Sequence, residues 1–216
     1  MSIRTLELIR NRRSIRKYSR REVPRDIIAR ILEAARWAPS AHNAQPWRFI
    51  IVTERHLKSE LARAMADEWV RDMERDGVPP GIRESLAAAS VERLESAPVL
   101  IVCCITMEGM SRYPDRRRQE CERIMAAQSL AAAIQNMLLS AYSEGLGACW
   151  LCAPLFCQDV VREVLGIPGD VEPQALVTMG YPAERPKPPG RKPILVYMNG
   201  WGGVFDHGFG GGSRRC

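Results

Sequence analysis

The sequence contains few histidines, few lysines and few aromatic residues. It has three histidines, at positions 42, 56 and 207, and aromatic residues make up 6% of its 216 positions. Histidines so far apart in the sequence favour no metal centre. With so few aromatic residues, the basic residues also lack the stacking platforms of proteins that bind single strands. We therefore expect neither a metal nor a nucleic-acid partner.

Long hydrophobic runs are also missing. Apolar stretches such as residues 98–107 are much shorter than the roughly 20 residues that a membrane-spanning helix needs. Residues 1–7 contain no apolar signal core followed by a cleavage site. The sequence therefore predicts a cytoplasmic protein with no membrane partner.

The motifs of several enzyme classes do not occur. We find no dinucleotide-binding G-x-G-x-x-G, no P-loop, no G-x-S-x-G and no H-E-x-x-H. Hydrolase and kinase functions therefore lack support. The basic residues instead favour binding of phosphate, because 27 of the 31 are arginine, whose planar guanidinium suits phosphate. As an alternative, a GC-rich genome explains the same excess of arginine over lysine.

The seven cysteines favour buried thiols over disulfides. Cys103 and Cys104 are adjacent within an apolar run, where a thiol packs as a small hydrophobic group. Cys149 and Cys152 form a C-x-x-C, and Cys157 follows five residues later. Because this motif lies in a strand-like run and has no fourth cysteine at cluster spacing, we favour a structural role, with redox and metal roles as alternatives.

Hydrophobic periodicity predicts one layered domain of helices and strands. Helices are expected at residues 5–12, 26–37, 57–75, 82–95, 122–144 and 158–165, and strands at 48–53, 99–106, 148–151 and 175–181. Residues 107–119, including Arg116–Arg118, are predicted as a polar loop. The domain boundaries are placed at 1–196 for the folded domain and 197–216 for a glycine-rich tail.

Arg12, Ser14 and Arg16 form the first polar cluster with chemical content. Alternate residues of an extended segment share a face, so two guanidinium groups and a hydroxyl can converge on one anion. A solvated charge run would give the same pattern.

Two further clusters follow along the chain. Ser40, Asn43 and Gln45 lie between prolines in a fixed loop and offer donors and acceptors for the polar edge of a heterocycle. Turn formation would explain Ser40 and Asn43, though not Gln45. Gly145 and Gly147 permit a ligand or a neighbouring backbone to approach closely.

Four motifs in sequence order carry a resemblance to a known family. They are R-R-S-I-R-x-Y, A-P-S-A-H-N-x-Q-P-W-R-F, G-L-G-x-x-W, and G-Y-P-A-E-x-P followed by R-K-P. From Ile3 to about Val196 the chain resembles the flavin-dependent nitroreductase family. Residues 67–77 and 111–115 are also similar to the nitroreductase-like C-terminal domain of the γ-glutamyl ligase of deazaflavin coenzyme biosynthesis.

The resemblance implies an α+β, three-layer fold with a mixed, mostly antiparallel central sheet flanked by helices and an extended C-terminal arm. It also implies a homodimer that binds FMN at the subunit interface. The implied reaction is ping-pong hydride transfer from NADH, NADPH or a reduced deazaflavin, through FMN, to an electron-poor acceptor such as a nitroaromatic or a quinone. The flavin carries this chemistry, so no catalytic side chain is expected.

The resemblance also assigns residues. Those implied to bind FMN are Arg12, Arg13, Ser14 and Arg16 at the phosphate and ribityl chain, Asn43 and Gln45 at the ring or ribityl groups, Pro39 and Ser40 as the wall, Leu151, Cys152 and Ala153 by flavin N5, and Arg191 and Lys192 at the phosphate. At Cys152 many family members have an acidic residue, so a backbone contact is expected there. The candidates for the substrate lid are Trp69, Met73, Tyr113 and Arg116.

Two other functions remain open at this stage. One is a reductase that acts on a deazaflavin coenzyme precursor, whose negative charge would suit Arg116–Arg118. The other is a basic protein without catalytic activity that stores flavin or binds nucleic acid.

Overall fold

The structure is a computed structural model that describes residues 5–203. The helices are α1 (Thr5–Asn11), α2 (Arg25–Arg36), α3 (Arg55–Arg75), α4 (Pro80–Ser96), α5 (Arg116–Ser143) and α6 (Gln158–Leu165). The strands are β1 (Trp47–Val52), β2 (Val99–Thr106), β3 (Gly147–Leu151) and β4 (Val171–Gly180). Short 3₁₀ helices at Ala41–Asn43 and Ala153–Phe156 were not predicted. The α+β class is confirmed.

The four strands form one antiparallel sheet in the order β1-β2-β4-β3. Every residue of β2 is buried, as expected for a central strand made of β-branched and other apolar residues. In this strand order, β1 and β3 form the two opposite edges of the sheet. An isolated parallel bridge between Ser14 and Ala148 adds the N-terminal segment beside β3.

Helices cover both faces of the sheet. Successive strand residues point to opposite faces, so Ile101 and Cys103 of β2 join one core and Val102 and Cys104 join the other. The first core includes residues of α2 and α5, and we call this side the α5 face. The second includes residues of α3, α4 and α6, and we call it the α3 face.

Helix α5 begins earlier than predicted, which corrects the expectation of a polar loop around Arg116. The carboxylate of Asp115 accepts the backbone N–H of Arg118 at 2.9 Å and caps the helix, so the three arginines form its first turn. By length and composition alone, α5 is long and apolar enough to cross a membrane. The core helix of a soluble protein meets the same two criteria. Here residues such as Leu130, Ile134 and Met137 are buried in the core on the α5 face.

The chain divides into two compact units between Pro186 and Lys187, whereas the sequence suggested a boundary after residue 196. In the second unit, residues 198–203 close a turn through a hydrogen bond from the N–H of Met198 to the carbonyl of Gly203 at 3.2 Å. The rings of Tyr197 and Trp201 lie 4.6 Å apart, and Trp201 is exposed.

Candidate functional site

The N-terminal segment that carries Arg12, Ser14 and Arg16 lies against β3. The N–H of Ile15 donates to the carbonyl of Ala148 at 3.1 Å, and the side chain of Ile15 is buried. A Cβ on Gly147 would lie 2.6 Å from the Cβ of Ile15, so only glycine fits there without displacing the segment. The absence of a side chain at Gly147 therefore lets the N-terminal segment of the same chain pack closely against β3.

Residues 181–184 hold the other side of this segment. The N–H of Ser19 donates to the carbonyl of Tyr181 at 2.8 Å, and the N–H of Ala183 donates to the carbonyl of Lys17 at 2.9 Å. The carboxylate of Glu184 accepts the N–H groups of Arg16 at 2.6 Å and Lys17 at 3.2 Å. The backbone of the arginine cluster is thus fixed from both sides. Sequence reasoning missed Glu184, although it lies in the G-Y-P-A-E-x-P motif.

Arginine charges influence the thiol of Cys149, which is on the α3 face of β3. Burial raises the pKa of this thiol, and the charges of Arg16, Arg93 and Arg12 oppose the rise, while Glu184 adds to it. Arg12 and Arg16 therefore both act electrostatically on this thiol, and their convergence on one anion stays a prediction. Arg93, on α4, belongs to no motif and was not predicted.

Arg13 contributes differently from its neighbours. Its guanidinium donates to the backbone carbonyls of Arg10 at 2.7 Å and Arg12 at 2.9 Å, so it stabilises the end of α1. It also lines, with Arg12 and Glu184, a cleft of about 460 Å³. The lining also includes residues 145–148 and, from α5, Leu138 and Tyr142, so the cleft lies on the α5 face.

The loop at residues 40–46 has a strained backbone. His42, Asn43 and Gln45 adopt φ values of 56°, 52° and 49°, in the left-handed region that costs non-glycine residues energy. The hydroxyl of Ser40 accepts the N–H of Gln45 at 3.1 Å. Pro39, Asn43 and Gln45 are exposed, so the carboxamides that were expected to meet a heterocycle are available at the surface.

A buried carboxylate holds this loop in place. Glu122 of α5 is 3% exposed, its Oε2 lies 3.2 Å from Nε2 of His42, and the same oxygen accepts the N–H of Ser111 at 3.2 Å. Glu122 thus connects residues 40–46 to residues 107–115, the stretch that carries Tyr113. The sequence analysis missed it because it lies within the apolar pattern of a core helix.

The arginine cluster and the carboxamide loop are far apart within one chain. The loop contacts α5 at Glu122 and at Ser129, whose hydroxyl accepts the N–H of Ala41 at 3.1 Å. The start of β3 follows the end of α5, where the N–H of Leu146 donates to the carbonyl of Ala141. Along the helix, Ala141 lies roughly 18 Å from Ser129 and roughly 28 Å from Glu122. The loop also leads into β1 and the arginine segment lies beside β3, at opposite edges of the sheet. The two clusters therefore lie at opposite edges of the sheet.

The chain after β3 is exposed at two residues that the resemblance assigned to the flavin. Cys152 and Ala153 are exposed and Leu151 is partly buried at the end of the strand. Helix α3 passes close by, because Glu68 and Asp72 add their negative charges to the burial that raises the pKa of the Cys157 thiol to about 11. All six cysteines in residues 5–203 are free thiols.

The predicted lid residues have different environments. Trp69 of α3 is 42% exposed and is available to a ligand, whereas Met73 is 6% exposed and packs as a core residue, which corrects its assignment to the lid. Tyr113 lies under the guanidinium of Arg118, 4.6 Å from the ring centre, and Arg116 is exposed in the first turn of α5. Arg191 and Lys192 are exposed residues of the second unit, so their contact with a phosphate stays a prediction.

Comparison with known proteins defines the class of this fold and site. The profile of the nitroreductase family matches residues 9–181, so the chain belongs to the nitroreductase family. A protein of Methanothermobacter thermautotrophicus, named as a proposed NADH dehydrogenase/NAD(P)H nitroreductase, is 35% identical over 184 residues, covering 84% of this chain and 78% of the relative.

Two solved structures are similar as well. A BluB-like flavoprotein from Clostridium difficile 630 has a TM-score of 0.76 and 26% identity, with 91% of this chain and 100% of that chain covered. A proposed nitroreductase from Desulfovibrio desulfuricans, in complex with FMN, has a TM-score of 0.67 and 26% identity, with 90% of this chain and 94% of that chain covered.

Proposed function

We propose that the protein is an FMN-dependent oxidoreductase. In this proposal it transfers hydride from NADH, NADPH or a reduced deazaflavin to an electron-poor acceptor such as a nitroaromatic or a quinone, in ping-pong order. The names of its relatives support a reduced nicotinamide as the donor. The FMN complex of a solved relative supports the cofactor.

The placement of Arg12, Ser14 and Arg16 carries the proposal. The segment is fixed between β3 and residues 181–184, and the charges of Arg12 and Arg16 both oppose the rise that burial causes in the pKa of the Cys149 thiol. Two guanidinium groups with a hydroxyl between them fit a phosphomonoester, which accepts charge-assisted hydrogen bonds from such donors. The residues present therefore fit the phosphate end of FMN.

The remaining residues have binding and orienting roles in this proposal. Bound FMN would supply the hydride chemistry, so the chain needs no nucleophile or acid–base pair. The exposed backbone at Cys152 and Ala153 would donate N–H groups toward the ring system. Trp69 would cover the acceptor site and exclude water from it.

We further propose that the active unit is a homodimer. Asn43 and Gln45 lie at the opposite edge of the sheet from Arg12 and Arg16 in the same chain, so a partner chain would bring its own loop to the flavin. Size-exclusion chromatography with light scattering tests this directly. A monomer that binds FMN and turns over substrate would contradict the shared site.

Electron transfer provides the test of the activity. Protein loaded with FMN is mixed anaerobically with NADH, NADPH or a reduced deazaflavin, and the loss of flavin absorbance is followed. The expected result is bleaching by at least one donor, recovery on addition of a quinone or nitroaromatic, and parallel lines in double-reciprocal plots. Loaded protein that none of the three donors bleaches would contradict the proposal.

One observation favours a narrower range of substrates. Arg116, Arg117 and Arg118 form an exposed basic first turn next to Tyr113, which suits an anionic aromatic acceptor such as a deazaflavin coenzyme precursor. Turnover of that precursor, compared with turnover of a simple quinone by the same preparation, distinguishes the narrow specificity from the broad one.

A further inference from the structure

We propose that Glu122 of α5 is a positioning residue for the proposed reaction, because its carboxylate sets the carboxamide loop (residues 40–46) and the lid segment (residues 107–115) relative to each other. This inference rests on the proposed function, in which the carboxamide loop contacts the flavin and the lid segment lies at the acceptor. Glu122 lies in none of the four motifs, and only the fold brings it to both segments.

The carboxamide loop presents two side chains on a strained backbone. His42, Asn43 and Gln45 are all in the left-handed region, which costs free energy for residues other than glycine. Asn43 and Gln45 are exposed, and the hydrogen bond from Nε2 of Gln45 to Oδ1 of Asn43 is long, at 3.5 Å. Strain of this kind persists only where the surrounding structure enforces it, and it clusters at binding sites. The strained backbone therefore indicates that the two carboxamides have a ligand to meet.

Two buried side chains of α5 enforce this conformation. Oε1 and Oε2 of Glu122 lie 3.3 and 3.2 Å from Nε2 of His42, the first of the left-handed residues. The hydroxyl of Ser129, about two turns further along the helix, accepts the N–H of Ala41 at 3.1 Å. Glu122 is 3% exposed and Ser129 is 5% exposed, so both groups are enclosed by the core. Glu122 therefore holds the strained residue itself, and Ser129 holds the residue before it.

The same carboxylate holds the lid segment. Oε2 of Glu122 also accepts the N–H of Ser111 at 3.2 Å. One turn earlier on α5, Oε1 of Gln119 accepts the N–H of Tyr113 at 3.0 Å. The backbone around Tyr113 is thus attached to α5 at two points, and one of these is shared with the carboxamide loop.

The two segments also touch each other. A Cβ on Gly109 of the lid segment would lie 3.4 Å from Cβ of Ala44 in the carboxamide loop. Because one carboxylate bonds to His42 and to Ser111, removing it releases both segments, whereas removing the imidazole of His42 releases the carboxamide loop alone. The two kinds of variant therefore have different expected effects on the flavin and on the acceptor.

The first experiment measures flavin affinity in His42→Asn by fluorescence quenching. Asparagine tolerates the left-handed region, and its side chain is too short to reach Glu122. We expect FMN and riboflavin to bind roughly 10-fold more weakly, the size of a lost charge-assisted hydrogen bond. Both flavins should be affected equally, because the loop would contact the ring and ribityl groups that they share. His56→Asn is the matched control, since His56 of α3 is exposed and lies 3.8 Å from its ionic partner Glu60. The control should bind both flavins like wild type.

The second experiment measures the acceptor in protein saturated with FMN. Glu122→Ala should weaken both flavins as His42→Asn does, and it should also raise the KM for a quinone by roughly 10-fold, because the lid segment is released. His42→Asn should leave that KM within about twofold of wild type. Glu122→Gln keeps a carbonyl oxygen for Ser111 and an amide for His42, so it should restore most of the flavin affinity and of the KM.

Several results would overturn the proposal and leave the proposed function standing. One is wild-type flavin affinity in His42→Asn. Another is a Glu122→Ala protein that is less stable and yet has wild-type dissociation constants and KM, because Glu122 would then only support the fold. A Glu122→Gln protein as impaired as Glu122→Ala would also overturn it.

A shorter carboxylate keeps the test decisive if Glu122→Ala does not fold. Glu122→Asp retains the charge on a side chain shorter by one methylene, so it should still raise the dissociation constant of FMN and the KM for the quinone. Wild-type values for both would overturn the proposal. A wild-type protein that binds neither flavin would overturn the proposed function as well.

Discussion

Replacing Gly147 by alanine should both destabilise the protein and weaken flavin binding. The new Cβ would lie 2.6 Å from Cβ and Cγ1 of Ile15 and 2.8 Å from its Cγ2, which is too close for carbon atoms. Because the contact involves Cβ of Ile15, a change of rotamer cannot relieve it. Either β3 or the N-terminal segment must move.

The size of the effect follows from the two contacts that are lost. Overpacking of a fitted contact costs about 1–3 kcal/mol, and losing the hydrogen bond from Ile15 to Ala148 adds about 1 kcal/mol. Together these give about 2–4 kcal/mol, which for a chain of this size lowers Tm by roughly 4–16 °C. FMN affinity should fall at the same time, since the displaced segment carries Arg12 and Arg16.

Thermal unfolding by circular dichroism and an FMN titration measure both effects. Gly169→Ala is the matched control, because a Cβ there would meet no atom within 4 Å and its backbone is not left-handed. The control should stay within about 1 °C of wild type. A Gly147→Ala variant that is as stable as the control and binds FMN as tightly as wild type would contradict the docking of the N-terminal segment on β3.

Three further predictions concern single groups. Arg16→Ala should weaken FMN binding by about 1.5–3 kcal/mol in a fluorescence titration, and unchanged affinity would remove Arg16 from the site. Glu122→Ala should lower the free energy of unfolding in urea by about 1–3 kcal/mol, because the partly buried N–H of Ser111 loses its acceptor; an unaltered midpoint would argue against this anchor. The raised pKa of Cys157, about 11 against an ordinary 9.0, means that the unfolded thiol ionises first, so stability should fall as the pH rises from about 9 to 11, and Cys157→Ala should flatten that slope. A slope identical in wild type and variant would contradict the burial of this thiol.

Local patterns were sufficient to predict most of the fold. The β-branched run at Val99–Thr106 and the helix Gln158–Leu165 have the predicted limits, because periodicity and flanking residues mark them. The start of α5 was placed too late, since its first turn is polar and reads as a loop. Asp115, three residues before Arg118, was the available signal for an N-cap.

The candidate site was predictable only where one segment carries it. Arg12 and Arg16 were proposed because they alternate along one extended segment, and their contact with a phosphate stays a prediction. Glu122 and Glu184 were not found, because each reaches its position through packing between elements distant in sequence. Met73 was misassigned because a methionine at helical spacing looks the same in a core and in a lid.

The most direct test of the whole account is a titration of flavin-free protein with FMN, followed by visible absorbance and by the amount of flavin retained after gel filtration. The account predicts saturable binding of one FMN per chain, which weakens as salt is added because arginines hold the phosphate. A protein that returns colourless from gel filtration and leaves the FMN spectrum unchanged would contradict it.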